Sequence, residues 1–482
     1  PASVSEADLT VFYNVTSTLE PGIGYLPPDG KVVIPAGETS VEILLEPIFE
    51  QIDAGVEKIT VTLDNGPYMI GSPKSTTVDV NVDQPALRVW TGAVSSLASE
   101  PENWLNNILP VAGDHIKLDG RTTRTMTWDL GIPVASWTQI GYKANVLIAT
   151  RVPGVSSFTN LVITGDCIIE DGVWVHAANP AAEYSEYYRI RATIGGDLIV
   201  GKYAALSGLN RGFGSEGRNI FGYENDGCHG GLGGTSPADK AYDSIVSPQH
   251  IGGGGWSFRG GGAIVLDVAG DVIHDGIMNV SGQSGYAYHA GAGGTINLRA
   301  KSISGSGHFF ADASYICGLG MQGGGGGRIA LVIDEYGKDF GNYTGTITAY
   351  GHSQGGAGTI YTETGWNLPG RGEVLLDNRP MAAGRTAVPP RAYNAELYPN
   401  PTYQDGEVNF ATFRVRNKAI LLLYEDFVLG DIFLETADSV LDLNFNKLYV
   451  LTEEHPLGPG TVRNPGEIIW RKSPRGTYIL FN

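Results

Sequence analysis

GGGAIVLDVAGDVIHDGIMNVSGQSG occupies residues 260–285, and its plan recurs: GAGGTINLRAKSISGSGHFFADAS follows at 291–314, GGGGGRIALVIDEYGKDFGNYTGTITAYG at 323–351 and GGAGTIYTETG at 355–365. Each unit is a glycine run, an apolar strand, a turn, a second strand ending in small residues, and a connection. A unit this short cannot bury its apolar face alone and is stabilised by stacking on its neighbours. The glycine run always comes just before the strand. A flexible linker would be Ser-rich and free of embedded β-branched strands. The fixed placement therefore predicts packed backbone, with neighbouring runs too close for a Cβ, as in polyglycine-type arrays.

Residues 201–360 hold 41 of the 68 glycines in the chain. The glycines follow no G-X-Y period and 42% of the chain is apolar, which excludes collagen and simple disorder. At 482 residues the chain exceeds one ordinary core, which predicts a small domain plus an elongated stack of coils. A net charge of −19 argues against a nucleic-acid partner, which needs clustered Lys and Arg. The same charge suits solubility and divalent cations. No apolar run reaches 18 residues, so no membrane span is expected. The chain opens at Pro1 without an initiator Met, as expected of a mature or truncated product.

Upstream of the glycine-rich units, residues 121–205 carry short apolar runs such as TMTWDLG, VLIATRV and NLVITGDCIIEDGVWVHA, separated by turn signals at the spacing of successive coils. The stretch RVWTG…ENWLNNILPVAGDHIKLDG (88–120) resembles the entry segment of many bacterial secreted β-solenoids. That resemblance implies that Trp90 and Trp104 cap the stack, because an uncovered apolar end is an aggregation surface. The series at 200–380, closing on GGAGTIY and Leu376-Asp377-Asn378, resembles the glycine-rich segment of large exported bacterial surface proteins. A Pro-containing linker is read at 379–406, and apolar-in strands resume over 407–482, ending in the β-prone tail TYILFN.

Residues 8–83 alternate with period two in LTVFYNV, KVVIPAG, TSVEILLEPI, KITVTLD and TTVDVNVD, the pattern of a sandwich of short strands. Gly24-Tyr25, VVIPAGETSVEI (32–43), GVEKITVTLDN (55–65) and the closing TTVDVNVD resemble a Calx-β domain, a calcium-binding sandwich of surface proteins. The resemblance implies calcium as cofactor, held by Glu50, Asp53, Glu57 and Asp83; Phe49 and Ala54 replace two further acidic positions, so backbone carbonyls and water would complete the shell. It also places the start of the segment at the second strand of the family, leaving an unpaired edge. The expected architecture is all-β: a small Calx-β-like β-sandwich at 1–83, then a glycine-rich β-solenoid (β-helix), with entry and first coils at 84–200 and repeat coils at 201–378.

The candidate chemistry is sparse. Three cysteines, Cys167, Cys228 and Cys317, leave two readings, a Cys228–Cys317 disulfide or free thiols. Asn14, Asn279 and Asn342 head glycosylation-type sequons. Asp267, Asp271 and Asp275 beside His274 form the densest acidic cluster, although Gly270-Asp271 and Asp275-Gly276 are also ordinary turn chemistry. Cys228-His229, with His250 and His289 in the same region, raises thiol or metal chemistry. Tyr184, Tyr187, Tyr188, Tyr286, Tyr288, Trp256 and Phe258 are read either as core or as a glycan-binding strip. The expectation drawn from these features is a secreted, cell-surface structural protein of a fibre, sheath or adhesin layer. It would associate head-to-tail with its own kind, with Thr477, Tyr478, Ile479, Leu480 and Phe481 donating a strand to the unpaired edge. The alternatives are a β-helix polysaccharide lyase or hydrolase and a calcium-dependent module that binds cell-surface glycans.

Overall fold

The computed structural model describes residues 6–471 apart from 19–20, 22–24, 48–55, 82–85, 182, 184, 215–217, 220–221, 224–226, 235, 257, 284–289, 314–322, 380–382 and 391–404. Across these residues the protein is all-β and built of several sheets. Helix is limited to three-residue 3₁₀ turns such as Pro101–Asn103 and Ala238–Lys240, so among the described residues no helix is long and apolar enough to cross a membrane. The chain divides into two compact units, Pro1–Val89 with Pro110–Lys117, and Trp90–Leu109 with Leu118–Asn482.

In the first unit the period-two runs become an antiparallel sheet in the order Lys31–Ile34, Leu9–Ser17, Val56–Leu63, Ser75–Asn81. Tyr25 and Ile59 are buried against Val15 and Leu45. The strand expected at TSVEILLEPI is largely absent: only Glu46–Pro47 forms a ladder, with Tyr25–Leu26. Residues 39–45 have no ladder partner among the described residues, and Leu44 is 73% exposed. Alternation alone does not make a strand; a neighbour must accept its amide and carbonyl groups. The Pro110–Asp114 turn is closed by the Asp114 carboxylate, which accepts the amides of Ala86 (3.0 Å) and Val111 (3.0 Å) and pairs with buried Arg88 at 2.7 Å.

In the second unit the chain visits two parallel sheets in turn. One carries Leu161–Ile163, Ile190–Ile194, Ala263–Val268, Thr295–Ala300, Arg328–Ile333 and Thr359–Glu363 in that order. The other carries Ser136–Gln139, Cys167–Val175, Leu198–Ser207, Ile277–Asn279, His308–Phe310 and Thr346–Thr348. Parallel neighbours require crossovers, and each sheet supplies the crossover of the other. The register stacks like on like: Ile190, Ile264, Ile296, Ile329 and Ile360 are successive partners, all buried. The identical residues repeat because each pass presents the same position to the core.

Thr359–Glu363 then pairs antiparallel with Glu373–Asp377, which reverses the strand direction before Thr412–Arg416 and Asp431–Leu434 continue the sheet in parallel. Within the stretch read as a linker, Gly384–Val388 is a strand paired with Ala419–Leu423. A Leu-rich core, including Leu421, Leu423, Leu429, Leu434 and Leu448, fills this C-terminal portion.

Trp90 and Trp104 are buried and begin a run of edge-to-face contacts: Trp90–Trp104 at 5.4 Å, Trp104–Trp128 at 6.3 Å, Trp128–Trp137 at 5.2 Å and Trp137–Trp174 at 5.3 Å. Such perpendicular packing sets the positive edge of one ring on the negative face of the next.

Candidate functional site

The glycine runs at 260–262, 292–294, 325–327 and 356–358 each lead into adjacent strands of the first sheet, and so lie side by side. Between two neighbouring passes, Leu198–Ser207 and the strands from Ala263 onward, the described residues Gly231 and Gly253 bond back to these runs, at Gly326 and Ala292. Gly325 donates its amide to Gly227 O (2.9 Å) and accepts from Gly293 N (3.0 Å). Gly326 donates to Gly356 O (2.9 Å) and accepts from Gly231 N (2.9 Å), while Gly327 donates to Ala311 O (2.7 Å) and accepts from Thr359 N (3.1 Å). Three consecutive residues therefore bond to four other stretches of chain, whereas a sheet strand bonds to two. Only backbone without side chains allows approach from so many directions. A Cβ on Gly325 would overlap the carbonyl of Gly231, one on Gly326 that of Ala349, and one on Gly327 that of Gly294.

Against this array the 227–251 segment buries a polar cluster. Asp243 sits in the left-handed region (φ 75°), a strained conformation for a non-glycine residue. Its carboxylate holds that turn by accepting the amides of Ser244 (2.8 Å), Gln249 (3.0 Å) and His250 (2.8 Å). His250 Nδ1 lies 2.8 Å from Glu186 Oε1, and Arg189 donates to Glu186 Oε2 at 3.1 Å. His229 Nδ1 is 2.9 Å from Gly293 O, and its Nε2 is 3.3 Å from Asp243. Arg328 donates from Nε to Tyr242 O and from Nη1 to Thr359 Oγ1, both at 2.8 Å. Burial pushes Asp243 up, but His250 and His229 beside it outweigh burial and hold the carboxyl at about 2. Burial likewise acts to lower His250, and the Glu186 and Asp243 carboxylates overcome it and raise the imidazole. His229 goes the other way, lowered by burial in spite of Asp243. The Asp243, His250, Glu186, Arg189 and His229 side chains are all within 3% of full burial, and their bonds brace the fold.

The residues singled out from sequence are dispersed. Cys228 donates its thiol to Ser236 Oγ (3.2 Å) and accepts Gly233 N (3.2 Å), so it does not address the neighbouring His229. Cys317 and His289 lie outside the described residues, as do Glu50, Asp53 and Asp83, the side chain of Glu57 and the proposed donor strand 477–481. Cys167 is buried in the core, and burial pushes its thiol far up. Asn14 and Asn342 are exposed and Asn279 is half-buried. Asp267 and Asp271 do not share a face, because the chain turns a corner at Ala269-Gly270 and the two belong to different sheets. Asp271 instead joins a ladder in which Asp166 accepts Asp197 N, Asp197 accepts Asp271 N and Asp271 accepts Ser302 Oγ, at 2.8, 2.8 and 2.7 Å. His274 points inward against Phe309 (4.5 Å), and burial lowers it to about 4, whereas its neighbour Asp275 is exposed. Of the aromatic candidates, Tyr187 and Tyr188 pack on each other half-buried, and Phe258 packs on Ala290.

Sequence reasoning missed His176, Asp243 and Arg328 as core polar residues, because each satisfies groups far away in the chain. His176 takes the amide of Ala263 on Nε2 (3.2 Å) and faces Ala177 O with Nδ1 (2.8 Å), which fixes a neutral ring; burial lowers it to about 3. Among the described residues no group of three His, Cys, Asp or Glu is placed to hold a metal ion. No protein-family model, curated protein or solved structure matches this chain.

Proposed function

We propose that this protein is a structural component of the bacterial cell exterior, a small Calx-β-like sandwich joined to a glycine-rich β-solenoid that serves as a stiff element of a fibre, sheath or adhesin layer. The observation that carries this reading is the glycine array, in which Gly325, Gly326 and Gly327 bond to four surrounding stretches of chain. Backbone hydrogen bonds running in several directions resist bending and shear more evenly than a sheet does. The buried ionic cluster supports the same reading, because its members are spent on holding loops.

Self-association is proposed through the first unit. Residues 39–45 and the edge strand Lys31–Ile34 flank a groove of about 340 Å³, in which Leu26, Val32, Ile43 and Leu44 stand beside the charged Asp29, Lys31 and Glu42. The short, apolar, β-prone segment Thr477–Phe481 of a second copy is the proposed occupant, adding a strand by main-chain hydrogen bonds. Electron microscopy of the purified chain tests both statements. End-to-end filaments that shorten on deletion of residues 477–482 are expected, and filaments of unchanged length would overturn strand donation.

A further inference from the structure

We propose that a cleft on the second unit, lined by Lys202, Asp275, Gly276, Ile277, Ser306 and His308, binds a pyranose unit of an uncharged glycan. The cleft measures about 510 Å³, within the range of small-ligand sites. Its residues come from three adjacent passes, because Leu198–Ser207 pairs with Ile277–Asn279, which pairs with His308–Phe310. Lys202, Ile277 and His308 lie in these strands, and Asp275, Gly276 and Ser306 in the turns that lead into the second and third of them.

Four groups there are set for a ligand. Asp275 accepts both the amide and the hydroxyl of Ser306 on Oδ1 (2.8 and 2.9 Å), which fixes the carboxylate and leaves Oδ2 facing outward. Lys202 forms no ion pair among the described residues, unlike Lys58, Lys301 and Lys338. The ring of His308 lines the cleft and is held by stacking on Phe310 at 5.5 Å. Ile277, 39% exposed, adds apolar surface.

A fixed carboxylate offers only acceptors and an ammonium only donors. Together they match the hydroxyls of a sugar, each of which both donates and accepts, while Ile277 suits its C–H face. One cation against one anion gives the cleft no net preference for charge, and the net charge of −19 on the chain repels a polyanion.

The test is titration of the full chain, by calorimetry and ligand-observed NMR, with cello-, xylo-, manno- and chito-oligosaccharides and, as the acidic arm, oligogalacturonate. At least one neutral oligosaccharide should bind, and Asp275→Asn and Lys202→Ala should each weaken it about tenfold, the loss of a charge-assisted hydrogen bond, with thermal unfolding unchanged. Binding by none of the neutral saccharides, binding indifferent to both substitutions, or tighter binding of oligogalacturonate would each overturn the proposal. None of these results bears on the assembly reading, which is tested by particle shape.

Discussion

Asp197 Oδ1 accepts the backbone amide of Asp271 at 2.8 Å, although 74 residues separate them in the chain. The contact repeats what Asp166 does for Asp197 one pass earlier, at a corner where Cys167, Leu198, Val272 and Ile303 are successive register partners. The carboxylate thus stitches passes together where the sheet ladder is interrupted. Asp197→Ala removes the acceptor and should lower stability by about 1 kcal/mol, whereas Asp197→Asn keeps an acceptor oxygen and should lose less. Chemical denaturation reads the difference; equal midpoints for the two variants would contradict a hydrogen-bonding role.

The glycine array makes a sharper prediction. Gly326→Ala drives a methyl into the carbonyl of Ala349 and should cost about 3 kcal/mol, as overpacking in a rigid interior does. Gly131→Ala is the control: its nearest neighbour would be Phe158 Cβ at an ordinary 3.7 Å, and stability should stay within about 0.5 kcal/mol. If both variants melt together with the unmodified chain, the glycines are not close-packed.

Trp137 is fully buried in the tryptophan run, between Trp128 and Trp174. Trp137→Ala should cost about 3–5 kcal/mol, the usual range for emptying an aromatic core site. Trp137→Phe keeps one ring and should recover much of that loss, with the near-ultraviolet circular dichroism of the run reduced in both. An unchanged melting temperature for Trp137→Ala would show that the contacts do not stabilise the unit.

The buried imidazole of His176 should remain neutral far below the ordinary histidine range, to about pH 3. Its folded pKa lies below the unfolded value near 6.5, so its contribution to stability is present above pH 6.5 and is lost as pH falls toward 3. His274, lowered to about 4, acts in the same direction, while Asp312, raised by burial to about 6, opposes both. NMR of histidine-labelled protein checks the first statement directly: a His176 resonance titrating near pH 6.5 would refute its burial as a neutral ring.

Much of the all-β character was legible from residues alone. Ile264, Ile296, Ile329 and Ile360 recur after each glycine run, and the structure sets them in one register. Leu9–Ser17, Lys31–Ile34, Val56–Leu63 and Ser75–Asn81 fall on the period-two runs of the first unit. The acidic cluster at 267–275 spans a corner at Ala269-Gly270, so its Asp267 and Asp271 stand in different sheets, a separation that the spacing of the letters does not show.

The glycine runs are where the two levels meet. Their placement ahead of each strand, and so the absence of side chains at those points, is a local property that any reading of the chain reveals. Which stretches fill the vacated space is not local: Gly231 reaches Gly326 and His250 reaches Glu186 only because a connection between two neighbouring passes folds over the others. Hydrophobic period acts between near neighbours and is written in the sequence, whereas these backbone and ionic contacts join residues far apart and exist only once the passes have stacked.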